Sequence, residues 1–253
     1  MSDSYIFRFA TIMVIIVAAV LTTVATLLKP LQEDNKRAEK MQAILSAANI
    51  HASRDESINI YKDRLLKEYA INLEGEIVST YEGQSGELIR GAERPFEINM
   101  KELKNKLNRY EKGELDQPPP LPLFMIEGKQ GDSLYVIPVR GKGLWGPIWG
   151  NIALKNDLNT IEGASFDHAG ETPGLGAEIN TRDFSEQFKD TEIFNENGDF
   201  VSVKVVKGKV ENSSIPAEHG VDAISGGTIT SNGVSEMIEN GIRYYLPYIQ
   251  KHK

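Results

Sequence analysis

The hydrophobic rhythm of the chain changes three times. From Phe9 to Leu28 it reads FATIMVIIVAAVLTTVATLL, 20 residues without a charge. A helix of that length crosses about 30 Å of hydrocarbon, so the run predicts a membrane-spanning helix. Its only polar members are threonines, whose hydroxyls can bond back to helix carbonyls. A cleaved leader has a shorter apolar core and a small-residue cleavage site; this run leads into LLKPLQEDNKRAEK, with no such site. Met41, Ile44, Leu45 and Ala48 then recur at helical spacing and predict a stalk helix. A second polar helix is expected over DESINIYKDRLLKEY, a hairpin around Glu74-Gly75 in INLEGEIVSTY, and a short helix over NMKELKNKLNRY. DQPPPLPLF reads as a stiff, irregular connector, because proline lacks a donor and fixes φ.

The centre shifts to the short apolar runs of strands. PLFMIE, SLYVIPVR, GPIWGNIALK and TIEGASFDH are rich in Ile, Val, Phe and Tyr, with Gly or Asp between them. DFVSVKVVKG alternates at Val201, Val203 and Val205 and predicts another strand. The helical period then returns in TRDFSEQFK and SNGVSEMIENGIRYYLPYI. The second has Ser231 or Asn232 near its N-cap and an apolar stripe of Val234, Met237, Ile238 and Ile242. No internal repeat is visible. Strands in the middle with helices at either end predict an α+β fold rather than alternating βαβ units.

Charge and composition narrow the function. The formal charge of −8 over 253 residues argues against a nucleic-acid partner, which needs a basic face. Cysteine is absent, which excludes disulfides, Cys-zinc sites and iron–sulfur clusters held by this chain. Any redox role must use a bound organic cofactor. Arg8 precedes the apolar run, and Lys29, Lys36, Arg37 and Lys40 follow it. That bias would keep the body in the cytoplasm, though the rule is weakest for a large domain after a single span.

Three glycine-rich stretches stand out: GKGLWGPIWG at 141–150, HAGETPGLG at 168–176 and DAISGGTITS at 222–231. None fits the phosphate loop or the dinucleotide fingerprint, and glycine clusters can simply be turns. The first places Trp145 between glycines, where backbone can approach a flat ligand and an indole can cover its face. In the second, His168 and Glu171 would share a metal only on a helix. Gly170 and Pro173 point to a loop and no third ligand is evident, so these groups read as hydrogen-bonding members of a polar pocket. In the third, SGGT stands just before a helix, whose free N–H groups suit a phosphate. A threonine there could receive a phosphate covalently, or Ser225, Thr228 and Thr230 could be turn and capping residues. The residues by themselves leave both readings open.

DAISGGTITSNGV resembles the flavinylation motif Asp-x-x-Ser/Thr-Gly-Ala-Thr, with Gly227 in the place of its Ala. GKGLWGPIWG, ALKNDLNTIEG and HAGETPGLGAEI are similar to other signature stretches of the NqrC family, the C subunits of the sodium-translocating NADH:quinone oxidoreductases, and the single N-terminal span fits it. The resemblance implies FMN joined by a phosphoester bond to Thr228. It implies that Asp222, Ser225 and Gly226 are read by a dedicated flavin transferase, which uses FAD as FMN donor with Mg2+. Trp145, Glu171, Thr172, Leu175 and Gly176 would line the isoalloxazine pocket. The chain would be anchored in the inner membrane with its body in the periplasm, against the Lys/Arg count. It would relay electrons from an iron-carrying subunit to the flavin of the neighbouring B subunit, toward ubiquinone, in a complex that exports Na+ and oxidises NADH elsewhere. The implied fold is an anchor helix over 1–30, a stalk and accessory region over 31–120, and an FMN-binding body over 121–253 around a mainly antiparallel sheet. The G subunit of Rnf-type ferredoxin:NAD+ complexes shares ETPGLG and the flavinylation motif. The segment before residue 120 and GKGLWGPIWG favour the quinone-reductase branch. Other classes are a non-catalytic membrane-anchored flavin-binding module and a structural anchor without cofactor.

Overall fold

The computed structural model describes residues 3–253. It divides into a unit that ends at Lys40 and a body over Met41–Lys253.

Helix α1 (Asp3–Ala47) is unbroken over 45 residues, with Pro30 inside it. The apolar run and the stalk are therefore one helix, long and apolar enough to cross a membrane. The hydroxyls of Thr11, Thr23 and Thr26 donate to the carbonyls four residues back, each at 2.8 Å, as the sequence suggests. The helix stops at Asn49, whose φ of 57° turns the chain. The Ile50 N–H then closes on the Leu45 carbonyl at 2.9 Å, a left-handed cap that Asn tolerates better than most residues.

Helix α2 (Arg54–Arg64) opens with a capping box between Ser53 and Glu56. It ends earlier than its composition predicts, because Leu65–Ile71 is a strand, β1. LLKEY carries good helix formers, but β1 is a central strand paired on both sides, and that pairing overrides local preference. β2 (Ile77–Glu82) follows through the expected turn at Gly75, with φ 78°. β3 (Glu87–Arg90), helix α3 (Met100–Glu111), β4 (Leu121–Glu127), β5 (Ser133–Lys142), β6 (Pro147–Leu154) and β7 (Ile161–His168) complete the main sheet region. The seven strands are ordered β3-β2-β1-β4-β5-β6-β7, every neighbour antiparallel. β4 takes in Leu121–Phe124 of the expected irregular connector. Pro122 pairs only with Ala70 of β1, since pairing with β5 begins at Phe124, so its missing donor falls where one neighbour suffices. Residues 31–120 and 121–253 thus share one sheet through the β1–β4 pair.

Both faces of the sheet are covered, as the period of two requires. On one face the row Phe124–Val136–Ala153 packs with Met41, Ile44 and Leu45 of α1 and Tyr61 of α2. On the other, Ile137–Ile152–Ala164 packs under the later helices. After β7 come the short helix α4 (Arg182–Glu186), the parallel pair β8 (Lys204–Val206) and β9 (Gly220–Asp222), and helices α5 (Thr228–Arg243) and α6 (Leu246–His252). The strand predicted over DFVSVKVVKG is only β8, because Ser202 at φ 61° leaves the extended region. The single C-terminal helix is two. Pro247 opens α6, and within a continuous helix its ring would meet the carbonyl four residues earlier.

Helix α5 buries the predicted stripe, Val234, Met237, Ile238 and Ile242, and lies close on β5. A Cβ on Gly233 would stand 2.4 Å from the Lys142 carbonyl oxygen, and one on Gly141 2.7 Å from the Met237 Cβ. Glycine at both points lets the helix start beside the end of β5.

Candidate functional site

Three loops meet at that end of the sheet: residues 143–146 between β5 and β6, residues 169–176 after β7, and the 223–227 stretch that leads into α5. The first of them and the first turn of α5 meet on one carboxylate of the second. Glu171 is 4% exposed. Its Oε1 accepts the Trp145 N–H at 2.9 Å and its Oε2 accepts the Thr230 hydroxyl at 2.6 Å. Burial pushes its pKa up. The Thr230 hydroxyl and the N–H groups of Trp145, Gly146 and Leu144 outweigh that and hold it below the ordinary carboxylate value. Two glycines leave room for it. A Cβ on Gly143 would lie 2.5 Å from Oε1, and one on Gly176 would lie 2.7 Å from Oε2.

His168, the last residue of β7, accepts the Glu171 N–H on Nδ1 at 3.1 Å. The i, i+3 spacing thus serves a loop hydrogen bond, in line with the polar-pocket reading. His168 Nε2 is buried without a partner.

Trp145 stands above this floor. The residue is 70% exposed and its Nε1 donates to the Thr172 hydroxyl at 3.2 Å. Leu144, Leu175 and Ile229 are exposed as well. In the body, the other large apolar side chains so exposed are Val78, Leu88 and Ile89, on β2 and β3. Leu175 meets the 223–227 stretch directly: a Cβ on Gly226, whose φ is 74°, would lie 2.6 Å from the Leu175 Cδ2.

Thr228 is the first residue of α5 and half-buried, and Ser225 is exposed in the turn before it. The helix begins earlier than the predicted cap at Ser231 or Asn232. Its N-cap is Gly227, and no side chain caps it. Ser231 is buried instead, and its hydroxyl accepts the Ile224 N–H at 3.2 Å. Asp222 belongs to a different local network. Its Oδ1 accepts the Val210 N–H at 2.7 Å, and its own N–H donates to Gln187 Oε1 at 2.9 Å. The structure therefore joins Trp145, Glu171, Thr172, Leu175 and Gly176 around the start of α5, with Asp222 set at the base of the turn. Sequence reasoning misses the role of Thr230. Its place beside Thr228 suggests a bond to backbone or phosphate, but its hydroxyl is committed to Glu171.

Residues 143–243, which hold all three loops, match the FMN-binding domain family. Over nearly its full length the chain is similar to proteins of one name. The Na(+)-translocating NADH-quinone reductase C subunit of Haemophilus ducreyi is 29% identical over 94% of this chain and 90% of that protein. The C subunit of Pseudomonas aeruginosa is 29% identical over 95% of both. The crystal structure of the C subunit from Parabacteroides distasonis is 35% identical, with a TM-score of 0.71, over 88% of this chain and 96% of that one. Sequence, fold and the convergence of the three glycine-rich loops agree: the chain belongs to the C-subunit family of the Na+-translocating NADH:quinone reductases, as one component of an oxidoreductase complex.

Proposed function

We propose that the chain is a membrane-anchored flavoprotein subunit that carries FMN covalently on Thr228 and relays electrons toward quinone in a Na+-exporting complex. The observation that carries this reading is the setting of Thr228. It is the first residue of a helix whose N-terminus has no side-chain cap, and Glu171 ties the first turn of that helix to the loop of the exposed Trp145. The residues fit the group. Free N–H groups in the first turn of α5 suit a phosphate. The left-handed Gly226 opens a cradle that any Cβ would fill against Leu175. Exposed Leu144, Trp145, Leu175 and Ile229 offer the apolar surface that a flat ring system covers.

Bound FMN would supply the one-electron chemistry in a chain that has no cysteine to hold an iron–sulfur cluster. The residues hold and tune. The start of α5 binds the phosphate, Trp145 covers the ring face, and Glu171 ties the loops that carry them. Ser225 and Gly226 stay exposed to the flavin transferase, and Asp222 holds the base of the turn that it reads. Helix α1 anchors the chain in the inner membrane, with the body in the periplasm among the iron-carrying subunits and the B subunit.

Intact-mass measurement of the full chain, co-expressed with its flavin transferase, tests the attachment. Thr228→Ala stays folded at the unmodified mass, while Ser225→Ala retains some covalent flavin. Covalent flavin in Thr228→Ala would move the bond to another hydroxyl and overturn the assignment.

A further inference from the structure

Thr230 is 1% exposed and Glu171 4%, and they are 59 residues apart in sequence. Hydroxyl side chains near a helix start ordinarily cap free N–H groups. Thr230 does not: its hydroxyl crosses to another loop and donates to Glu171 Oε2 at 2.6 Å. The other oxygen of that carboxylate holds the Trp145 N–H. One side chain thus links the first turn of α5 to the loop that presents the indole. Two residues along a helix is a rotation of about 200°, so an inward Thr230 turns Thr228 to the outer side. The burial pattern agrees, with Thr230 buried, Thr228 half-buried and Ile229 exposed. Gly176 is shaped to this bond, since a Cβ there would lie 2.5 Å from the Thr230 Oγ1.

We propose that Thr230 is a positioning residue for the flavin. Its hydroxyl sets the first turn of α5 against Glu171 and so fixes where Thr228 stands relative to Trp145. The inference rests on attachment at Thr228.

Valine has the outline of threonine but no donor, and serine keeps the donor without the methyl. In the full chain in detergent, co-expressed with the transferase, Thr230→Val carries covalent flavin at the expected mass. Its flavin fluorescence rises severalfold, because the ring is no longer held against the indole, and its midpoint potential shifts. Thr230→Ser restores both to wild-type values. A merely structural role would move the melting temperature and leave fluorescence and potential alone. Wild-type fluorescence and potential in flavin-bearing Thr230→Val overturn the proposal. If Thr230→Val fails to fold, Thr230→Ser decides: wild-type fluorescence supports a role for the hydroxyl, and a departure overturns it. An unmodified mass for the wild-type chain would instead sink the attachment reading, and this proposal with it.

Discussion

The indole nitrogen of Trp145 and the hydroxyl of Thr172 are 3.2 Å apart, and that bond holds the ring of a residue that is 70% exposed. So large an apolar group, aimed outward beside a loop glycine, makes a small contribution to stability and is free to cover something else. Trp145→Ala should therefore leave unfolding free energy within about 0.5 kcal/mol of wild type. It should also change the absorption and fluorescence of flavin still bonded at Thr228. Thr172→Val, which frees the indole without removing it, should move the spectra in the same direction by less. Visible spectra with intact mass check both, and unchanged spectra in Trp145→Ala would take the indole out of the ring site.

Glu171 carries a pH signature. Its folded pKa lies below the ordinary carboxylate value of 4.5, since its donors outweigh its burial. A depressed folded pKa gives stability that is fully present above the unfolded value and is lost as pH falls through the folded one. Wild type should therefore lose melting temperature from about pH 4.5 downward more steeply than Glu171→Gln, which has no such proton to take up. Parallel melting curves for the two proteins from pH 7 to pH 3 would show that the carboxylate is not held as the hydrogen bonds indicate.

Much of this was legible in the sequence. The apolar runs in SLYVIPVR and GPIWGNIALK marked β5 and β6, because strands buried by packing on both faces must be apolar almost throughout. The glycine clusters marked the three loops. What stayed hidden depended on partners far along the chain. LLKEY looks helical until β2 and β4 flank it. Helix α5 starts earlier than its capping residue types suggest, because Ser231 is used in the core and Gly227 takes the cap. Thr230 looked like one hydroxyl among four, since nothing local reveals a carboxylate 59 residues away.

Gly233→Ala tests how α5 is seated. In an exposed helix the change would stabilise by about 1 kcal/mol. Here the new methyl would come 2.4 Å from the Lys142 carbonyl oxygen. Overpacking should win and cost about 1–3 kcal/mol by urea unfolding. Gly170→Ala is the control, with nothing within 4 Å of its Cβ, and should change stability by less than about 0.5 kcal/mol.

Glu68 lies fully buried on β1. Its two oxygens accept from Arg94 Nε at 3.0 and 2.9 Å, and the carboxylate also takes the Phe96 N–H at 3.1 Å and the Tyr61 hydroxyl at 3.2 Å. Arg94→Leu strands that carboxylate and should destabilise the body by about 3 kcal/mol in chemical denaturation. Replacing both residues with leucine should recover most of the loss, since a buried pair contributes little beyond what apolar packing provides. Additive losses in the double variant would argue against this pairing.

The sheet also sets the smallest transplantable piece. The stretch that matches the FMN-binding domain, 143–243, begins after β5 and holds only β6 and β7 of the seven strands. Grafted alone onto a foreign host, it would leave β6 with a raw edge and α5 without the strand on which Gly233 rests. A portable piece cut from this chain has to begin at Met41, because Met41, Ile44 and Leu45 cover one face of the strands β4, β5 and β6 beside which the three loops are mounted.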